Sequence, residues 1–158
     1  MRELCKVPNV LLRQKSKKVE EIDAGIRELA DEMVEFMRLN QDKELRPVGL
    51  SAVQLGELVR MFAFLANPAA GADASADIHV LVNPELVYSK GIHRVTEGCL
   101  SIPGRTFDLK RAKIVKIRGL TLDGQVRSFR GRDFMAQVFQ HELDHQDGIL
   151  VDQRSKEV

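Results

Sequence analysis

The chain has 158 residues, and 24 Lys+Arg against 23 Asp+Glu leave a formal net charge of +1. That is the length of a single catalytic domain, 1–158, and the near-neutral balance argues against a dedicated nucleic-acid binder or a membrane-surface protein. Hydrophobic residues at 44% and charged residues at 30% are a globular composition, no apolar run approaches the ~20 residues of a membrane span, and two distant cysteines, Cys5 and Cys99, are too few for a disulfide framework.

Taken in chain order, Val7 to Arg13 reads as a loop or short turn fixed by Pro8. After Asp23, the apolar residues Ile26, Leu29, Ala30, Met33, Phe36 and Met37 have helical spacing. Asp23 is the expected N-cap, and the helix is expected to stop near Asn40. Val59 to Leu65 reads as a strand. Val80 to Val82 reads as another, ending at the turn pair Asn83-Pro84. Asn67 to Asp77 between them is small and polar, an exposed loop without chemistry of its own. Ile114–Arg118 and Gln125–Phe129 flank Asp123-Gly124, a hairpin signal whose turn can be longer than two residues. The last helix starts near Asp133. It places Phe134, Val138, His141 and His145 on one face and Met135, Phe139 and Glu142 on an adjacent one, and Gly148 can end it. Strands bracketed by an early and a late helix predict an α+β domain.

The sharpest chemical signal is His141-Glu142-Leu143-Asp144-His145. Histidines at i and i+4 stand one above the other on a helix face, so both imidazoles can reach one metal ion. The glutamate beside the first can take a proton from a water held there. Two histidines do not complete such a site. A third histidine just after the helix is absent, because Val151 stands at that position, and too little chain follows His145 for a glutamate on a later helix. Cys99, in Glu97-Gly98-Cys99-Leu100-Ser101, is the remaining candidate. Its rivals His93 and His79 read as surface residues.

Three segments together resemble the peptide deformylase family. Pro47-Val48-Gly49-Leu50-Ser51-Ala52-Val53-Gln54 is similar to its first signature, a glycine-rich run ending in glutamine. Glu97-Gly98-Cys99-Leu100-Ser101 matches the second, and Gln140-His141-Glu142-Leu143-Asp144-His145 the third. Pro8 with Leu12-Arg13, Gly56, Arg60, Asn83-Pro84, Arg111, Asp123 and Gly124 are further landmarks, so the resemblance runs from about Val7 to Asp152. The chain departs from the family pattern at Pro47 (usually glycine), Ser51 (usually alanine) and Val53 (usually proline), and can carry only a stub of the long helix that many members have after the third signature.

The resemblance implies an α+β fold with strands packed around a central metal-binding helix, an N-terminal helix and a short C-terminal tail. It implies removal of the formyl group from the N-terminal formylmethionine of nascent polypeptides, with release of formate. Cys99, His141 and His145 would hold one divalent ion, iron(II) natively, with zinc, nickel or cobalt accepted. Glu142 would move the proton, and Gln54 through its side-chain amide and Leu100 through its backbone N–H would stabilise the oxyanion. Glu97, Gln140 and Asp144 would orient loop and ligands. The peptide would lie extended along Val48, Gly49 and Leu50, with Phe134 and Val138 beside Leu100 lining a slot for the methionine side chain. Pro47 in that segment fixes φ near about −65°, has no N–H, and is expected to push Arg46 towards an extended conformation. The implied partners are N-formylmethionyl peptides and nascent chains, with the ribosome surface as a further contact, no nucleic-acid specificity and no membrane. The implied location is a bacterial-type cytoplasm or an organelle. Two other readings fit the same residues: a metallo-amidase or peptidase of different specificity, and a deformylase-like protein that binds peptide without turnover. Intact Glu142 and Gln54 speak against the second, and Pro47 speaks for it.

Overall fold

The computed structural model describes residues 2–41, 43–44, 46–70 and 77–155. Helix α1 (Ala24–Leu39) starts where Asp23 accepts a hydrogen bond from the Ile26 N–H at 2.9 Å, and ends at Asn40, whose side-chain amide donates to the Phe36 carbonyl. Its apolar stripe, Leu29, Ala30, Met33, Phe36 and Met37, is buried.

Among the described residues seven strands follow: β1 (Gly49–Ser51), β2 (Met61–Leu65), β3 (Ile78–Lys90), β4 (His93–Cys99), β5 (Ile102–Arg111), β6 (Ile114–Leu120) and β7 (Val126–Arg132). Five of them form an antiparallel sheet in the order β1-β2-β3-β6-β7, and β4 pairs with β5 in a separate ribbon. The reason β2 is apolar throughout is its place between two helices. Met61, Ala63 and Leu65 pack with α1, while Phe62 and Phe64 point to the other face and pack with Ala136 and Phe139 of the late helix α2 (Phe134–Gln146). Alternation with period two divides one strand between two cores.

Two expectations about local structure are corrected. The Asn83-Pro84 pair does not end a strand, because β3 runs through it as a bulge, with the register to β6 shifting between Val82 and Glu85. Asn83 takes φ +50°, and its side chain bonds both the N–H and the carbonyl of Val19 at 2.8 and 2.9 Å. That long-range clamp holds the kink, and a proline is tolerated where the ladder is already broken. Arg46 is not extended but has φ +25°, because its N–H closes a turn onto the Lys43 carbonyl at 3.2 Å. The Asp123-Gly124 hairpin is present between β6 and β7 with a five-residue connection, closed by the Thr121 N–H on the Gln125 carbonyl. Of the expected Asn67–Asp77 loop, residues 71–76 lie outside the described residues.

Helix α2 ends at Gly148, which has φ +70°. A side chain there would also strike the Arg13 backbone at 2.7 Å. The tail is one short helix, α3 (Val151–Ser155), seated with Leu150 on Leu12 and Ile102. Among the described residues, no helix is long and apolar enough to cross a membrane.

Candidate metal centre and active site

Two elements meet at the centre. Helix α2 brings His141 and His145, four residues apart, and the end of β4 brings Cys99, where the pairing with β5 shifts register after Gly98. One ligand atom from each of Cys99, His141 and His145 lies within 4.8 Å of the others. His145 Nε2 is 3.5 Å from Cys99 Sγ, and its Nδ1 is buried without a hydrogen-bond partner. An imidazole whose Nε2 faces a sulfur and a second imidazole suits a metal ion in the space between them.

The electrostatics favour a cation at the same place. Burial disfavours charge on His141, but the Cys99 sulfur and the Glu97 carboxylate outweigh it and hold the His141 pKa well above the usual imidazole value. Burial, reinforced by His141 and Arg111, pushes His145 well below it, so His145 is neutral and its nitrogen is available as a ligand.

The ligands are braced from behind. His141 Nδ1 donates to Glu97 Oε2 at 3.0 Å, which leaves Nε2 for the metal side. Arg111 grips both oxygens of Glu97 at 2.7 and 2.8 Å and reaches Asp144 at 2.6 Å, and Asp144 is also bonded by Arg154. Burial works against the Glu97 charge, but Arg111 and His141 overcome it and hold its pKa below the ordinary value. The Gln140 side chain bonds backbone and not a ligand side chain. Its amide bonds both the N–H and the carbonyl of Ala112 and so pins α2 to the link between β5 and β6.

Glu142 and Gln54 face the same cavity, of about 610 Å³, which is also lined by Pro47, Val48, Gly49, Cys99, Leu100, Phe134, Val138 and His141. Burial raises the Glu142 pKa above the carboxylate norm, against the opposing pull of His141 and a hydrogen bond from Ser51. Gln54 is buried in a 3-10 turn, Ala52–Leu55, after β1. Its Oε1 accepts the Ser51 N–H at 2.9 Å, so its Nε2 must point the other way, to Ser101 Oγ at 3.1 Å and towards Cys99 Sγ at 4.0 Å. Ser101 gives its own proton to the Cys5 carbonyl at 2.8 Å and therefore accepts from Gln54.

Some expected site residues lie elsewhere. The Leu50 side chain is 0% exposed in the α1-side core and does not line the cavity. His79 and His93 are half-buried and lie outside the metal-ligand cluster. His79 stacks on Phe64 at 5.6 Å and pairs with Asp77, because β3 is longer than Val80–Val82 and draws it into the sheet. His93 opens β4, with a buried Nε2. Sequence reasoning missed the structural parts of Ser51, Ser101 and Gln146. Two of these lie inside quoted signatures, which was the only available signal.

A thiol and a helical imidazole lining an open cavity, a second imidazole buried behind them, and a carboxylate and a carboxamide beside them is the layout of a mononuclear metallohydrolase. A sequence model of the family "Polypeptide deformylase" matches residues 1–158. The chain is 38% identical over 157 residues to the peptide deformylase of Dictyoglomus thermophilum, covering 99% of this chain and 94% of that protein. It is 39% identical over 150 residues to that of Dehalococcoides mccartyi, covering 95% and 83%. Among solved structures, a peptide deformylase from Legionella pneumophila aligns with a TM-score of 0.86 at 31% identity, over 98% of this chain and 85% of that one. The one from Thermotoga maritima aligns with 0.83 at 28%, over 98% and 97%. The chain belongs to the polypeptide deformylase family, enzymes that deformylate nascent polypeptides.

Proposed function

We propose that residues 1–158 form one catalytic unit that hydrolyses the N-formyl group of formylmethionyl nascent chains to formate and a free amine. The observation that carries this reading is the convergence of Cys99, His141 and His145 beside a cavity that Cys99 and His141 line together with Glu142 and Gln54. The Cys99 sulfur and one nitrogen from each histidine would hold one divalent ion, iron(II) by resemblance to the family, with zinc, nickel or cobalt suited to the same donors. When bound, the ion supplies Lewis acidity, lowering the pKa of a water and polarising the formyl carbonyl.

Glu142 takes a proton as the water oxygen bonds to the formyl carbon, and delivers it to the amine nitrogen as the C–N bond breaks. Gln54 Nε2 donates to the formyl oxygen as negative charge builds on it, and the Leu100 N–H is the second donor. Glu97 and Asp144, joined through Arg111, hold the His141 ring in place. Among the described residues β1 pairs with β2 alone, so its outer edge at Gly49, with Val48 just before it, can receive an extended peptide as an added strand. Leu50 contributes backbone there, not side chain. Phe134, Val138 and Leu100 give the methionine side chain an apolar wall. The partners are formylmethionyl nascent chains at the ribosome surface, in a cytoplasm or organelle reducing enough to keep the Cys99 thiol free.

One assay tests this reading: formate release from a formylmethionyl tripeptide by enzyme loaded anaerobically with iron(II), or with nickel, beside cleavage of the same peptide unformylated. Formate from the first and no cleavage of the second are expected. Cleavage of the unformylated peptide would make the protein a peptidase, and no product from either would make it a binding protein.

A further inference from the structure

Ser51 and Gln146 are both 0% exposed, and neither touches the space where substrate would lie. They come from segments 95 residues apart and meet directly behind Glu142. Gln146 Nε2 is 2.9 Å from Ser51 Oγ, 3.4 Å from the Met61 carbonyl and 3.3 Å from the Glu142 carbonyl. Backbone carbonyls can only accept, so the nitrogen end of the amide must face them, and Ser51 Oγ accepts from Gln146. The single hydroxyl proton of Ser51 is then directed at Glu142 Oε2, 2.7 Å away, with the Glu142 carbonyl at 3.3 Å the longer alternative. The other carboxylate oxygen lies against bare backbone, because a Cβ on Gly49 would sit 2.5 Å from Glu142 Oε1. Through its N–H, Ser51 also fixes Gln54 Oε1.

We infer that Gln146, Ser51 and Glu142 form a directed hydrogen-bond relay that positions the general base, anchoring Oε2 in the protein and presenting Oε1 to the cavity across Gly49. The inference rests on the reading of Glu142 as the base. The terminal torsion of a glutamate is broad and roughly two-fold, so an unanchored carboxylate samples orientations that do not face the reacting water. The loss then falls on proton transfer and not on peptide binding. Ser51 and Gln146 are positioning residues, since neither touches substrate.

The test uses Ser51→Ala, Gln146→Leu and Glu142→Ala in the metal-loaded full chain. Ser51→Ala is expected to keep its metal and lower kcat about tenfold, with KM changed by less than about twofold. Gln146→Leu is expected to lower kcat about threefold, because the hydroxyl survives but loses its direction. A readout independent of turnover is a double-mutant cycle on the urea unfolding of metal-free protein. Ser51→Ala should lower the midpoint in the parent by clearly more than in the Glu142→Ala background, where the Gln146 contact is what remains to be lost. An unchanged kcat in Ser51→Ala, a loss expressed in KM, or additive unfolding shifts would overturn the relay. Normal turnover in Glu142→Ala would instead overturn the reading on which it rests.

Discussion

Helices α1 and α2 pack on opposite faces of the same sheet, yet they bury different things. α1 buries Leu29, Ala30, Met33, Phe36 and Met37 and no charged side chain. α2 buries Ala136, Val138 and Phe139, but also Glu142, Asp144, His145 and Gln146. Apolar burial stabilises by roughly 25 cal/mol per Å², whereas buried polar groups cost free energy unless each finds a partner. On α2 most do: Asp144 has Arg111 and Arg154, Glu142 has Ser51, and the Gln146 amide nitrogen has Ser51 and two carbonyls. The unpartnered atoms include Gln146 Oε1 and His145 Nδ1, the latter on a ligand of the candidate metal centre. α1 thus supports the fold, and α2 carries the chemistry on a scaffold of compensating bonds.

Substitutions on the two sides should therefore fail in different ways. Glu142→Ala removes a proton carrier but no metal ligand. Turnover is expected to fall by about 10²–10⁴ with metal content intact, and loss of metal together with activity would make Glu142 a ligand. Gln54→Leu should lower kcat by about 10²–10³ and leave KM much less affected. A pure KM effect would make it a substrate-positioning residue. On the α1 side, Met33→Ala in the 0%-exposed core should cost about 2–5 kcal/mol of stability by urea unfolding, while kcat of the folded enzyme stays at the parent value. A kcat loss as large as that from Gln54→Leu would break the division between the helices.

The smallest expected effect concerns Pro47, which lines the cavity one residue before Val48 and whose carbonyl is taken by the Gln41 side chain at 2.7 Å. Pro47→Gly restores an N–H to the edge that a peptide would pair with. A gain of up to about tenfold in kcat/KM, confined to tripeptides and absent for dipeptides, is expected, the worth of one net hydrogen bond. No gain on either length would show that the missing N–H is not used.

The sequence made α1, α2 and the His141/His145 pair legible because their information is local: apolar spacing, a cap at Asp23, two histidines four apart. Cys99 was reachable because a two-histidine site needs a third donor, and the family signature then pointed to it. Apart from Arg46, which a local turn onto Lys43 holds at positive φ, the failures are long-range. Asn83-Pro84 has turn chemistry, but pairing of β3 with β6 and the clamp on Val19 override it. Strands β4 and β5 show no apolar alternation, because much of the ribbon is exposed. Leu50 sits inside a signature, yet its side chain follows the pleat into the α1-side core. Ser51 and Gln146 are unremarkable polar residues until folding places them 2.9 Å apart.

The central claim is that α2 works through one metal ion held jointly with the β4 thiol. The most direct measurement is the absorption spectrum of cobalt-substituted protein, taken with metal content, for the parent and for Cys99→Ala. The parent is expected to bind one cobalt per chain and to show a thiolate–cobalt charge-transfer band. Cys99→Ala should lose that band and bind the metal more weakly by several kcal/mol. An unchanged band with full metal content in Cys99→Ala would contradict the account.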